Sequence, residues 1–169
     1  GLRVGVSAYY NKTAKNGTKP DRNNEYDFPV TIFTADMQYK SPKNNLIVRA
    51  NAVYGQLGAS AALSTINNSS SGASGYPNTT VAKNAVSYAA EAGYNIGAFW
   101  GSKAPRIYPF MRYEYYNPME KVESSSQLAD KRFQSSVITA GLNYYALPNL
   151  VIKADYSNRR IAWGKYNNE

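Results

Sequence analysis

Apolar and polar side chains alternate with a period of two along most of the chain, and a helical period is nowhere sustained. Leu2, Val4, Val6, Ala8 and Tyr10 share one face, with Arg3, Gly5, Ser7 and Tyr9 opposite. The pattern returns as Thr31, Phe33, Ala35, Met37 and Tyr39 against Ile32, Thr34, Asp36 and Gln38, and as Leu46, Val48, Ala50, Ala52 and Tyr54 against Arg49, Asn51 and Gly55. Val86 to Ile96, Pro109 to Tyr115, Ile138 to Tyr144 and Leu150 to Tyr156 repeat it. Seven strands are therefore predicted, at 2–11, 29–40, 46–57, 84–96, 106–116, 132–145 and 150–160. Each has about ten residues, the length a tilted strand needs to cross a bilayer.

The connections alternate between short and long. Short ones lie at 40–45, 97–105 and 146–149, where Pro42 and Pro148 with neighbouring Asn supply turn chemistry. Long ones fall at 12–28, 58–82 and 117–131, and the middle one turns to Ser, Ala, Asn, Gly and Thr, a loop composition. Asn-x-Ser/Thr triplets begin at Asn11, Asn16, Asn67, Asn68 and Asn78, and are read as a by-product of Asn- and Thr-rich loops. Short turns at one rim and long loops at the other describe an all-β, up-and-down antiparallel barrel, with 12–28, 58–82 and 117–131 extracellular. Seven is an odd count, so at least one returning strand is expected after Glu169, and the chain reads as a fragment of a larger barrel.

A soluble sheet with one dry face would alternate too. Three features favour a transmembrane barrel. Ala, Val and Leu hold the middle of the apolar faces, while Tyr39, Tyr54, Tyr94, Tyr113, Tyr115, Tyr144 and Tyr156 lie towards strand ends, as membrane-interface girdles do. The polar faces combine Gly, Ser, Asn and charges, which suits a hydrated lumen. Two thin layers of Ala, Val and Tyr would also underfill a soluble core.

Composition then narrows the chemistry. The 169 residues include 16 Tyr, 5 Phe and 2 Trp, but no His and no Cys. Common zinc sites, thiol catalysis, imidazole acid–base chemistry and disulfides are thereby excluded. No enzymatic activity and no cofactor are expected, since outer-membrane enzymes lean on His. Tyrosine, with its apolar body and polar tip, reconciles 43% apolar residues with a mean hydropathy of −0.52.

Net charge is +8. Strand parity puts Arg3, Arg49, Arg112 and Lys153 on the pore-facing side together with Asp36, Glu91, Glu114 and Asp155, a neutral sum that leaves the excess in loops and turns. The spacing of Arg112 and Glu114, and of Lys153 and Asp155, brings each pair onto one face within electrostatic reach. These charges either set a field that filters solutes or form a ladder that keeps the wall hydrated and in register. Lys12, Lys15, Lys19 and Arg22 in the first long loop would steer anions to the mouth, or contact acidic lipid or carbohydrate. The basic residues are scattered among unrelated loops, so nucleic acid is not an expected partner.

Tyr108-Pro109-Phe110-Met111-Arg112-Tyr113-Glu114-Tyr115-Tyr116 resembles a signature strand of the phosphate-selective porin O and P family. So do Val137-Ile138-Thr139-Ala140-Gly141-Leu142-Asn143-Tyr144-Tyr145, the turn Ala146-Leu147-Pro148-Asn149, and the strand Leu150 to Tyr156. The likeness covers about residues 106–157 and corresponds to the C-terminal half of such porins. It implies a 16-stranded barrel in the bacterial outer membrane, often a homotrimer, that passes small polar or anionic solutes. The family's final strand with its terminal aromatic is absent here, and its anion-binding arginine ladder and lysine cluster are not identifiable, so phosphate specificity is not implied. The alternative is a non-conducting barrel that serves as a structural or docking component for envelope proteins; a small eight-stranded anchor with a packed lumen is its architectural variant.

Overall fold

A computed structural model of the protein describes residues 1–12, 27–69, 80–101, 103–123, 129–147 and 149–162. Its strands are β1 (Leu2–Asn11), β2 (Val30–Lys40), β3 (Leu46–Leu57), β4 (Asn84–Tyr94), β5 (Arg106–Lys121), β6 (Ser135–Leu147) and β7 (Leu150–Ile161). They form a single sheet in sequential order, every neighbouring pair antiparallel. The fold is thus all-β and up-and-down, and the sheet is not closed, because β1 and β7 each pair on one side only.

Among the described residues no second layer covers the sheet. The buried apolar side chains among them are Phe28, Tyr108, Met119 and Val137. Cohesion comes instead from strand pairing and from packing at the two rims.

The rim of short turns is tightly bonded. In the β2–β3 turn the Asn44 amide donates to the Ser41 carbonyl at 2.8 Å, and Asn44 takes the left-handed conformation that Asn tolerates. The buried Tyr108 hydroxyl donates to the Asn44 carbonyl at 2.6 Å. Asn95 joins this turn to the next: its amide donates to the Asn45 carbonyl at 2.7 Å, and its side-chain oxygen accepts from the Ile107 amide at 3.1 Å. Gly97 is required there, since a Cβ would lie 2.0 Å from the Pro105 carbonyl oxygen. Pro148 of the last short turn lies outside the described residues.

The rim of long loops departs from the sequence reading in three places. Ser60–Ser69 forms a helix, α1, inside the segment read as loop. Ala61, Ala62 and Leu63 are strong helix formers, and the helix start is capped by Glu123, sixty-two positions from Ala61. β5 continues past Asn117 to Lys121, because a bulge opposite Asn84–Val86 absorbs Pro118, which has no amide hydrogen to donate. β6 begins at Ser135, as 131–133 are wound into a 3₁₀ turn whose Arg132 amide donates to Asp130 at 2.9 Å.

Candidate functional site

The strand register collects the predicted charges. One row crosses all seven strands as Arg3, Gln38, Arg49, Glu91, Arg112, Thr139 and Ser157, each paired with the next. The row above it, towards the long loops, reads Gly5, Asp36, Asn51, Ala89, Glu114, Val137 and Arg159. Lys153 and Asp155 share this face nearer the short turns, opposite Asn143 and Gly141. All eight residues predicted to face a pore therefore stand on one side of the sheet.

Of the two charge contacts expected from spacing, Arg112 with Glu114 forms, and register adds a cross-strand pair, Arg49 with Glu91, that spacing along one strand does not reveal. Arg49 Nη1 lies 3.2 Å from Glu91 Oε1 across β3 and β4, and Arg112 Nη2 lies 2.7 Å from Glu114 Oε1 along β5. Lys153 and Asp155 make no ion pair with each other. Hydroxyls bridge strands on the same face, Ser7 to Thr34 at 2.6 Å and Thr139 to Ser157 at 2.8 Å. The charged rows line a polar trough of about 470 Å³ bordered by Arg3, Asp36, Arg49, Glu91 and Arg112.

Register also brings residues that the neutral sum left out. Arg159, opposite Val137, and Arg106, opposite Tyr145, stand on this face and tip its balance towards positive. Strand parity was sufficient to find both; they were missed because they sit near strand ends, where boundaries read from sequence are least secure. Phe110 lies here as well, its ring laid over Gly141 on the next strand, where a Cβ would come within 2.6 Å of the ring.

The opposite face carries all seven predicted tyrosines. Tyr39 pairs with Val48 and Val48 with Ala92, so Tyr94 stands two residues nearer the short turns than Tyr39. Gly93 pairs with Phe110 and Phe110 with Gly141, so Leu142, one residue nearer the short turns, is level with Tyr94, and Tyr144 stands two residues further on. The line Tyr39–Tyr94–Tyr144 thus shifts by one residue per strand. Near the long loops Tyr10, Tyr54 and Tyr115 define a second line with the same shift and direction. One residue of about 3.3 Å per strand spacing of about 4.8 Å is a slope of about 35°, the tilt of strands in a closed barrel.

Tyr113 and Tyr156 fall between the two lines rather than on them. Tyr88, not singled out from sequence, joins the second line, stacked on Tyr115 with ring centroids 5.0 Å apart. No charged residue lies on this face between the lines, among the described residues; the first ones outside are Lys121 and Arg160, both towards the long loops.

Exposure on β6 reverses the order of a soluble sheet. Ser135, Val137 and Thr139 of the polar face are 2%, 9% and 7% exposed, whereas Ile138 and Leu142 of the apolar face are 46% and 41% exposed. On this strand the apolar side is the open one.

At the long-loop rim, Glu123 gathers α1. Its Oε2 accepts from the Ala61 amide at 3.0 Å and from Ser60 Oγ at 3.2 Å, and its Oε1 lies 3.4 Å from Lys83 Nζ. The Ala61 hydrogen bond first, with Lys83 and Ser60 adding to it, holds this carboxyl below the usual glutamate range. Ser64, wholly buried, donates to the Ser60 carbonyl at 2.8 Å and accepts from the Val81 amide at 2.9 Å. Of the loop bases expected to meet anions, Lys12 pairs with Asp27 at 3.8 Å, while Lys15, Lys19 and Arg22 lie outside the described residues.

No family model, curated protein or solved structure matches this chain.

Proposed function

We propose that the chain forms part of the wall of a water-filled β-barrel in the bacterial outer membrane, through which small hydrophilic or anionic solutes diffuse. The observation that carries this is the apolar face, where two parallel lines of tyrosine enclose a band without charge, inclined at the tilt of a membrane barrel. A strand-built wall satisfies its backbone groups internally, as hydrocarbon demands. β1 and β7 run in the same direction, so antiparallel closure takes an odd number of further strands. The resemblance of 106–157 to phosphate-selective porins O and P adds a 16-stranded ring and a homotrimer to the proposal.

On this reading Arg3, Asp36, Arg49, Glu91, Arg112, Glu114, Lys153 and Asp155 face the water column. The wall hydrates the solute and biases its charge. Conductance of the full-length protein in planar bilayers tests the proposal, with unitary steps in KCl as the expected result. A protein that inserts without any step conductance would instead be a docking barrel, a reading favoured by the pairing of Arg49 with Glu91 and of Arg112 with Glu114.

A further inference from the structure

The polar face is not polar throughout. Towards the long loops its rows change to Val53, Ser87 and Tyr116, and then to Ile32, Gly55 and Ala85. With Pro118 these residues enclose a hollow of about 290 Å³ whose walls are almost wholly apolar. Val53 and Tyr116 are each more than one third exposed there, and Tyr9 continues the surface opposite Ile32. An apolar patch on the charged side of the sheet serves neither the lipid face nor a core.

Its relation to the arginine row is fixed by the strands. Val53 is four residues from Arg49 on β3, and Tyr116 four from Arg112 on β5, about 13 Å in each case. Arg112 leans towards the hollow, because its partner Glu114 lies on that side. Arg49 and Arg112 each engage one carboxylate, and a guanidinium has donors left beyond one such contact. Arg3 in the same row has no ion pair among the described residues.

We propose that this wall selects amphipathic monocarboxylates, the apolar tail lodging against Ile32, Val53, Gly55, Ala85 and Tyr116 while the carboxylate meets the row of Arg3, Arg49 and Arg112. The inference deepens the channel reading by naming its solute class, and it rests on that reading. A tail of about seven carbons with a carboxylate head spans the gap once an arginine side chain reaches part of it. The single charge matches a row in which three arginines face one glutamate. Short carboxylates gain only the charge contact, and neutral chains only the apolar one.

Gly55 supplies a clean probe. A Cβ there would sit 3.9 Å from the Ala85 Cβ, an ordinary contact, so Gly55→Leu can leave the backbone in place and put its branched end into the hollow. The experiment measures half-blocking concentrations of octanoate and butyrate on KCl conductance of the full-length channel at constant ionic strength. Octanoate is expected to block at a concentration about 10-fold lower than butyrate, as four further methylenes partly leave water. Gly55→Leu should bring the two within about 2-fold, chiefly by weakening the block by octanoate. Equal block by both acids in the unaltered channel, or an undiminished gap in Gly55→Leu, overturns the proposal.

Octanoate also enters lipid, but to the same extent for both proteins, so the variant comparison cancels it. Val53→Ser makes the lining polar without adding bulk and should narrow the gap as well, which covers a Gly55→Leu protein that does not assemble. If no conductance is seen at all, the channel reading fails by itself. Calorimetric titration of the same two acids into the detergent-solubilised protein then decides the site: a gap abolished by Gly55→Leu supports it, and equal affinities overturn it.

Discussion

Arg49 and Glu91 oppose each other across β3 and β4, in register and 3.2 Å apart, in the middle of a row that otherwise carries Arg3 and Arg112. Glu91 is the one acid of that row and stands between two of its arginines. Replacing it by Gln keeps shape and hydration but leaves Arg49 uncompensated. Glu91→Gln is expected to raise the anion-to-cation permeability ratio about 2- to 5-fold, read from reversal potentials in a KCl gradient. Its effect on stability should stay within about 1 kcal/mol, since Arg49 is more than half exposed. An unchanged reversal potential would mean that the pair only holds strand register.

Val48 and Leu142 lie between the tyrosine lines on the apolar face, and Tyr94 lies on one of them. Fluorophores attached at positions 48 and 142 should be quenched by labels carried on lipid, position 48 by labels nearer the headgroups because Val48 pairs with Tyr39, and position 142 by labels further into the acyl chain. A Trp at position 94 should respond most to a quencher near the headgroups. If the probes at 48 and 142 are shielded from every lipid quencher and from water, protein covers this face and the barrel reading is lost.

Sequence periodicity was enough to predict the seven strands and the face on which each predicted side chain stands, because a period of two leaves no freedom once a strand begins. It did not reach features created by partners distant along the chain. α1 looks like loop because its cap, Glu123, comes from another connection, and Ser64 is buried only because Val81 folds back on it. The apolar hollow was hidden for a related reason. Ile32, Val53 and Tyr116 belong to three different strands, and each looks like an isolated exception on a polar face until register sets them side by side.

Glu123 makes the docking of α1 depend on acidity. Its folded pKa is depressed, chiefly by the Ala61 amide, so it adds stability in full above the ordinary glutamate value of about 4.3. That stability is lost as the pH falls through the lower folded value. Hydrogen exchange corrected for intrinsic rates should show Ala61 and Leu63 protected at pH 7 and deprotected at strongly acid pH, with β4 unaffected. Glu123→Gln should weaken protection of the same amides already at neutral pH. Equal protection in both proteins at both acidities would show that the cap contributes nothing.

Gly141 tests whether the wall tolerates an added methyl where two strands and a ring meet. A Cβ there would lie 2.6 Å from the Phe110 ring and 2.7 Å from the Ala154 carbonyl oxygen. The ring can swing away, but the carbonyl belongs to β7 and moves only with that strand. Gly141→Ala is therefore expected to destabilise by about 1–3 kcal/mol, read from urea titration of the refolded protein in detergent. Phe110→Ala in the same chain should recover only the part due to the ring. Full recovery in the double variant would mean that β7 is held less firmly than its pairing with β6 implies.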